Sequence, residues 1–258
     1  MFPLSDNNPT ARVPVATIAI IIINVLVWFL VQGFGAPAPL AESLCLYGLI
    51  PGDLLGNVQP GTRQAMSDTL VCLLDGRGNA ITLITSMFLH GGWFHIIGNM
   101  WFLWVFGDNV EDVMGPVRFV AFYVLCGLAA AGAQIATDTG STLPMVGASG
   151  AIGGVMGAYA LLFPHARVNT LIFLGFYVTT IAVPAVFMLG YWFLLQLLGG
   201  LPALGSAEGG VAFWAHIGGF LAGLVLIGAF ARRDYLEAYR NLLRRPRRSA
   251  RRDDERWF

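Results

Sequence analysis

Residues 13–31 read VPVATIAIIIINVLVWFLV, an apolar run with no charged side chain. A helix needs about 20 apolar residues to cross roughly 30 Å of hydrocarbon, at a rise of about 1.5 Å per residue. The run has that length and composition. It reads as a retained span and not a cleaved leader, because its apolar core is too long and Pro37 and Pro39 follow in place of an A-x-A site.

The same charge-free signature recurs along the chain, over residues 81–106, 119–136, 145–163 and 211–231. Between Arg167 and Glu208 lies a stretch too long for one span. Pro184 divides it, which predicts a fifth helix over 184–198. Residues 168–183 then form an interfacial or re-entrant approach, or an early part of that helix. The expectation is an all-α fold: one polytopic bundle of six transmembrane helices over residues 1–231, followed by a tail over 232–258.

Composition supports this class. Of 258 residues, 56% are hydrophobic and only 12% charged, against about a quarter charged in an average soluble domain. This excludes a disordered chain, a disulfide-dense secreted scaffold and an ordinary soluble enzyme. The net charge of zero conceals an asymmetry: residues 1–231 hold 5 Arg and 10 acids, whereas 232–258 hold 10 Arg and 5 acids, with no Lys anywhere. Positive charge marks the cytoplasmic side, so the tail is expected there, facing anionic lipid and not nucleic acid. Six spans then bring the N-terminus to the same side. Arg12, Arg118 and Arg167 also fall inside, and only Arg63 and Arg77 fall outside. The Arg-only basic complement suits a GC-rich bacterial genome and hence a bacterial inner membrane.

Residues 34–80 form the one large extracytoplasmic loop. It holds Cys45 and Cys72 in a compartment expected to be oxidising, where a bridge and two unpaired thiols are equally open. Cys126 lies in the third span as packing. No CxxC or Cys/His cluster is present, so no metal site is expected, and nothing calls for a cofactor.

Polar groups inside such spans are costly and carry information. Three clusters stand out. The second span holds His90-Gly-Gly-Trp-Phe-His95-Ile-Ile-Gly-Asn99, where His95 and Asn99 share a helix face at i, i+4 and His90 sits at the helix mouth. The fourth opens on Gly147-Ala148-Ser149-Gly150, and Ser149, Gly153 and Gly157 line one small-residue face. A helix N-terminus offers free N–H groups suited to an oxyanion, although a serine there is more often a cap. The sixth span holds His216, Gly219 and Gly223 on one face. If the two small-residue faces pack together, hydroxyl and imidazole meet. Each cluster also has a bland reading as interhelical hydrogen bonding.

With these clusters in view, HGGWFHIIGNMWFLWVFGDNVED, GASGAIGGVMGAY and AHIGGFLAG resemble the signatures of the rhomboid family of intramembrane serine proteases, and their order over residues 12–231 is similar too. The resemblance implies Ser149 as nucleophile and His216 as general base and acid. His95 and Asn99, with the Ser149 backbone N–H, would form the oxyanion hole, and His90 would order the mouth of the site and its water. Glu111 would be structural, at the cytoplasmic end of the second span. Trp192 and Phe193 would lie on a mobile fifth helix that gates lateral substrate access. Two departures accompany the resemblance. The aromatic residue that many rhomboids place four residues after the nucleophile is Gly153 here, and no Trp-Arg pair occurs in the first loop.

A base must hold its imidazole neutral to take the serine proton. No Asp or Glu lies within the fourth or sixth span, which favours a dyad over a triad. All three clusters fall at similar depth near the outer surface, where water can reach. The substrates expected are transmembrane segments that unwind readily, and the resemblance adds a small residue before the scissile bond. Two other readings stay open: a proteolytically inactive client-binding membrane protein and a small transporter. HExxH is absent, which disfavours a zinc protease.

Overall fold

The computed structural model describes residues 1–67, 70–175, 177–204 and 210–244. Strand β1 (Phe2–Asp6) precedes helix α1 (Val15–Leu30). Thr17, Ile20, Asn24 and Trp28 recur at helical spacing on the buried face of α1, while Ile22, Ile23, Leu26 and Leu30 stay exposed. An outer surface of aliphatic side chains is what a lipid-facing helix presents.

The first loop is folded. Helices α2 (Pro37–Tyr47) and α3 (Pro51–Leu54) each open on a proline, where the missing N–H costs nothing. Strands β2 (Thr62–Ala65) and β3 (Val71–Leu74) pair antiparallel. A disulfide joins Cys45 of α2 to Cys72 of β3, and Ile50, Cys72 and Leu74 form a small separate core there.

Helix α4 (Thr82–Thr85) and a 3-10 turn over Ser86–Phe88 lead into α5 (Trp93–Met114). This corrects the expected second span of 81–106. The helix starts later, after Gly91-Gly92, and continues past Asp108, Glu111 and Asp112. Those charges do not end it because Glu111 and Asp112 are satisfied internally: Glu111 by Ala16 and Thr17, Asp112 by Ala11 and Arg12. Gly115, at φ +80°, closes α5, and Pro116 opens α6 (Pro116–Thr137).

Helix α7 (Ser149–Leu162) is short and central, with ten of its fourteen residues buried. After it, strands β4 (Arg167–Leu174) and β5 (Tyr177–Pro184) form an antiparallel hairpin, and β1 pairs with the free edge of β4. Residues 168–174 and 177–183 are therefore strand, and not the early part of the fifth helix that is one of the expectations for them. The hairpin's Val, Ile, Thr and aromatic residues favour strand, and Gly175, at φ +63°, makes the turn. With β2–β3, it also corrects the all-helical expectation: the fold is mostly helical, with two small sheets among the described residues.

Helices α8 (Ala185–Ala203), α9 (Phe213–Phe230) and α10 (Arg233–Arg244) are the last elements among the described residues. Helix α10 docks on the bundle, with Tyr239 buried against Phe163 and Tyr235 packed beneath the Arg12 and Arg232 guanidinium groups. The expected tail beyond residue 244 lies outside the described residues. Among the described residues, Pro116–Thr137, Ala185–Ala203 and Phe213–Phe230 are long and apolar enough to cross a membrane, and α1 and α7 are shorter apolar helices.

Helices α7 and α9 touch backbone to backbone. A Cβ at Gly219 would overlap the Gly150 carbonyl, one at Gly223 the Gly154 carbonyl, and one at Gly157 the Phe220 carbonyl. Such small-residue faces give close contact where no water drives burial. At the far end of the bundle, β1 is tied down by Trp101 Nε1–H to Pro3 O at 2.6 Å and by the Tyr159 hydroxyl donating to Asp6. Burial pushes the Asp6 carboxyl up to about 6, partly offset by that hydrogen bond.

Candidate active site

The α7–α9 contact decides where the polar side chains go. Ser149 is the first residue of α7, and not a turn inside it as the span over 145–163 implied. His216 lies in the first turn of α9. The close approach of the two helices brings His216 Nε2 to 2.8 Å from Ser149 Oγ. Gly153 lies directly beneath: a Cβ there would stand 3.0 Å from the His216 carbonyl oxygen. A side chain at this position would require the facing α9 backbone to give by a few tenths of an ångström.

Support for the imidazole comes from α8 instead. The Trp192 ring lies 5.7 Å from that of His216, tilted by 38°, and also packs on Phe220. The Phe193 ring packs on Phe220. Gln196 Oε1 stands 2.8 Å from His216 Nδ1, and the Gln196 side chain is buried. Sequence reasoning passed over Gln196. Its signal was that of a lone amide in a helix otherwise free of such groups.

On the other side of Ser149 stands His95, in the first turn of α5. Its Nδ1 accepts the Gly91 N–H at 3.2 Å, so in the neutral ring Nε2 carries the proton. That Nε2 and Ser149 Oγ both face Gly147: a Cβ at Gly147 would lie 2.7 Å from the first and 3.4 Å from the second. Gly147, at φ +127°, is held by its N–H donating to Ser86 O at 2.9 Å. Glycine therefore keeps open the space between a donor and a nucleophile. Asn99, one turn along α5 from His95, is buried, and its Nδ2 has no hydrogen-bond partner among the described residues. As the first helical residue, Ser149 also offers a backbone N–H that helix geometry leaves free.

His90 is fully buried just before α5, edge-on to His95 with ring centroids 5.1 Å apart. Its backbone is clamped on both sides by Gln32, which accepts from His90 N–H and donates to His90 O, each at 2.8 Å. Gln134 of α6 accepts the Ala215 N–H at 3.2 Å and so fixes the start of α9 next to His216. Both glutamines are further residues that the sequence motifs did not single out. Glu111 sits at the opposite end of α5, where its carboxyl accepts from Ala16 N–H, Thr17 N–H and the Thr17 hydroxyl at 2.8–2.9 Å.

A hydroxyl at a helix N-terminus, a ring nitrogen in contact with it and a neighbouring imidazole N–H form a constellation suited to acyl transfer. Residues 77–233 match the family model of the Rhomboid domain. The chain belongs to the rhomboid family. Among its relatives, Rhomboid protein 1, mitochondrial, of Saccharomyces cerevisiae is 29% identical over 56% of this chain and 40% of its own length. RHOMBOID-like protein 5 of Arabidopsis thaliana is 31% identical over 58% of this chain and 43% of its own length. Rhomboid protease GluP of Bacillus subtilis is 33% identical over 62% of this chain and 29% of its own length. The chain thus spans less than half the length of each of these relatives. Family membership and the three long apolar helices make it an integral membrane protein.

Proposed function

We propose that this rhomboid is an intramembrane serine endopeptidase that cleaves transmembrane segments of other membrane proteins with a Ser149–His216 dyad. The observation that carries this reading is the 2.8 Å approach of His216 Nε2 to Ser149 Oγ. In the reaction, Ser149 Oγ–H gives its proton to His216 Nε2 as Oγ attacks the scissile carbonyl carbon. The negative charge that forms on the carbonyl oxygen is accepted by Ser149 N–H, His95 Nε2–H and Asn99 Nδ2–H, across the space that Gly147 leaves open. His216 then protonates the leaving amine, and a water deprotonated by the same nitrogen releases the acyl group from Ser149.

The membrane arrangement belongs to the same reading. Residues 1–231 are one membrane domain in which α1, α5, α6, α7, α8 and α9 are the six spans, with both termini and the Arg-rich segment 232–258 in the cytoplasm. With fourteen residues, α7 is roughly 21 Å long. In a hydrocarbon core of about 30 Å, a helix that ends at the inner surface begins about 9 Å below the outer one. Ser149 then sits recessed but within reach of water from above. Small groups such as Gly127, Ala130, Gly147, Gly150 and Ala215 line the cavity next to Ser149 and suit a small substrate side chain. Helix α8, with Trp192 and Phe193, is the side from which a substrate segment reaches the dyad. A bacterial inner membrane is the expected location.

The test uses wild type, Ser149→Ala and His216→Ala in liposomes, with a reporter transmembrane segment that carries a Gly or Pro near a small residue. Cleavage by wild type alone supports the reading. Equal cleavage by all three overturns it.

A further inference from the structure

Gln196 has two amide atoms and two partners. Its Nε2 donates to the Trp192 carbonyl at 3.2 Å, and its Oε1 faces His216 Nδ1 at 2.8 Å. The reverse assignment would set two carbonyl oxygens against each other at Trp192. With Oε1 towards the ring, only one tautomer of a neutral His216 fits, because an amide oxygen can only accept. Nδ1 carries the proton, and Nε2 presents its lone pair to the Ser149 hydroxyl 2.8 Å away. In the other tautomer, Nε2–H would point at Ser149 and could not take its proton. Gln196 is 8% exposed, so no bulk water replaces it at Nδ1.

We propose that Gln196 is a positioning residue for proteolysis: it holds His216 in the tautomer that can activate Ser149, in the place where soluble serine proteases use a carboxylate. This inference rests on the dyad reading above. It explains how a base works where, among the described residues, its ring is hydrogen-bonded to an amide and a hydroxyl and to no carboxylate. A neutral amide supplies orientation without placing a second charge in the membrane, where a buried carboxylate would be costly. Trp192, four residues earlier on the same helix, packs on the same ring. Both supports of His216 therefore come from α8.

The experiment compares wild type, Ser149→Ala, Gln196→Met and Gln196→Glu in liposomes. It reads the rate of Ser149 labelling by a fluorophosphonate, kcat and KM for a reporter transmembrane segment, the kcat–pH profile and the melting temperature. Methionine matches the shape of glutamine but accepts no strong hydrogen bond, so the ring divides between tautomers. A wrong tautomer in a soluble triad costs roughly 10⁴ in rate. Partial loss of the right one is expected to lower labelling and kcat by about 10- to 100-fold, with KM unchanged. Glutamate keeps the acceptor and is expected to recover most of the rate. It should also move the acid limb of the profile to higher pH, because a carboxylate at Nδ1 favours the imidazolium.

Wild-type labelling rates in Gln196→Met overturn the proposal and leave the dyad intact. Equal loss of rate and of melting temperature in both variants also overturns it, since that pattern belongs to packing alone. Wild type that labels no better than Ser149→Ala overturns the dyad reading and this inference with it.

Discussion

Helix α1 begins after Pro14, which offers no side-chain acceptor for the free N–H groups of its first turn. The acceptor comes from another helix. Glu111, 3% exposed, takes Ala16 N–H on Oε1 and both Thr17 N–H and the Thr17 hydroxyl on Oε2. Glu111→Ala strands two buried backbone donors, each worth roughly 1–3 kcal/mol, because the hydroxyl can rotate to another acceptor. The expected loss is therefore about 4 kcal/mol, a large share of the ~5–15 kcal/mol that holds a typical domain together. Glu111→Gln keeps one acceptor and strands one donor, for about 2 kcal/mol. Thr17→Val removes only the hydroxyl, for about 1 kcal/mol. Thermal and denaturant unfolding in detergent, followed by tryptophan fluorescence, should rank the proteins as wild type, Thr17→Val, Glu111→Gln and Glu111→Ala. If Glu111→Ala unfolds with wild type, or Glu111→Gln falls below Glu111→Ala, the helix-capping account of Glu111 is wrong.

Three further outcomes follow from other parts of the molecule. The Cys45–Cys72 bridge closes a 27-residue separation, and chain entropy gives it about 3.5 kcal/mol of stability. Reduction should add two hydrogens by mass spectrometry and open the first loop to protease, with no such change in Cys45→Ser/Cys72→Ser. Because Asp6 holds its proton up to about 6 in the folded chain, against an ordinary 3.8, the folded state binds more protons between these values. Stability should therefore fall as pH rises through about 4 to 6. Asp6→Asn should flatten that part of the curve, and an unchanged slope would show that Asp6 does not cause it. Gly147→Ala places a methyl against His95 Nε2 and should cut Ser149-dependent cleavage by at least about 10²-fold, the scale of losing an oxyanion donor. Circular dichroism should show the helices intact, and cleavage at the wild-type rate would mean that the substrate oxygen sits elsewhere.

Where the absence of charge and the presence of a span coincide, the sequence could be read closely. Helices α1, α6 and α9 lie within a few residues of the charge-free runs over 13–31, 119–136 and 211–231. Where charge is satisfied internally, the same rule misleads. Helix α5 carries Asp108, Glu111 and Asp112 in its last two turns because the start of α1 and Arg12 meet two of them. For residues 168–183 the lack of charge leaves an interfacial or re-entrant approach and an early part of the fifth helix open, whereas the β-branched and aromatic content around Gly175 carries the hairpin signal. The motif residues of the site were visible as polar groups in apolar surroundings, and the small-residue faces of α7 and α9 suggested that Ser149 and His216 could meet. Gln196 was visible only as a lone amide in an apolar helix. Its relation to His216, twenty positions away, depends on how α8 packs on α9, and no local spacing encodes that.

Ser149 as an activated nucleophile is the claim on which the functional account stands, and a fluorophosphonate tests it most directly. Wild type, Ser149→Ala and His216→Ala in liposomes would be treated with the probe, digested and mapped by mass spectrometry. The account predicts one adduct, on Ser149, in wild type, and none in either variant. An adduct on another residue, or labelling of Ser149 that survives His216→Ala at the wild-type rate, would contradict it.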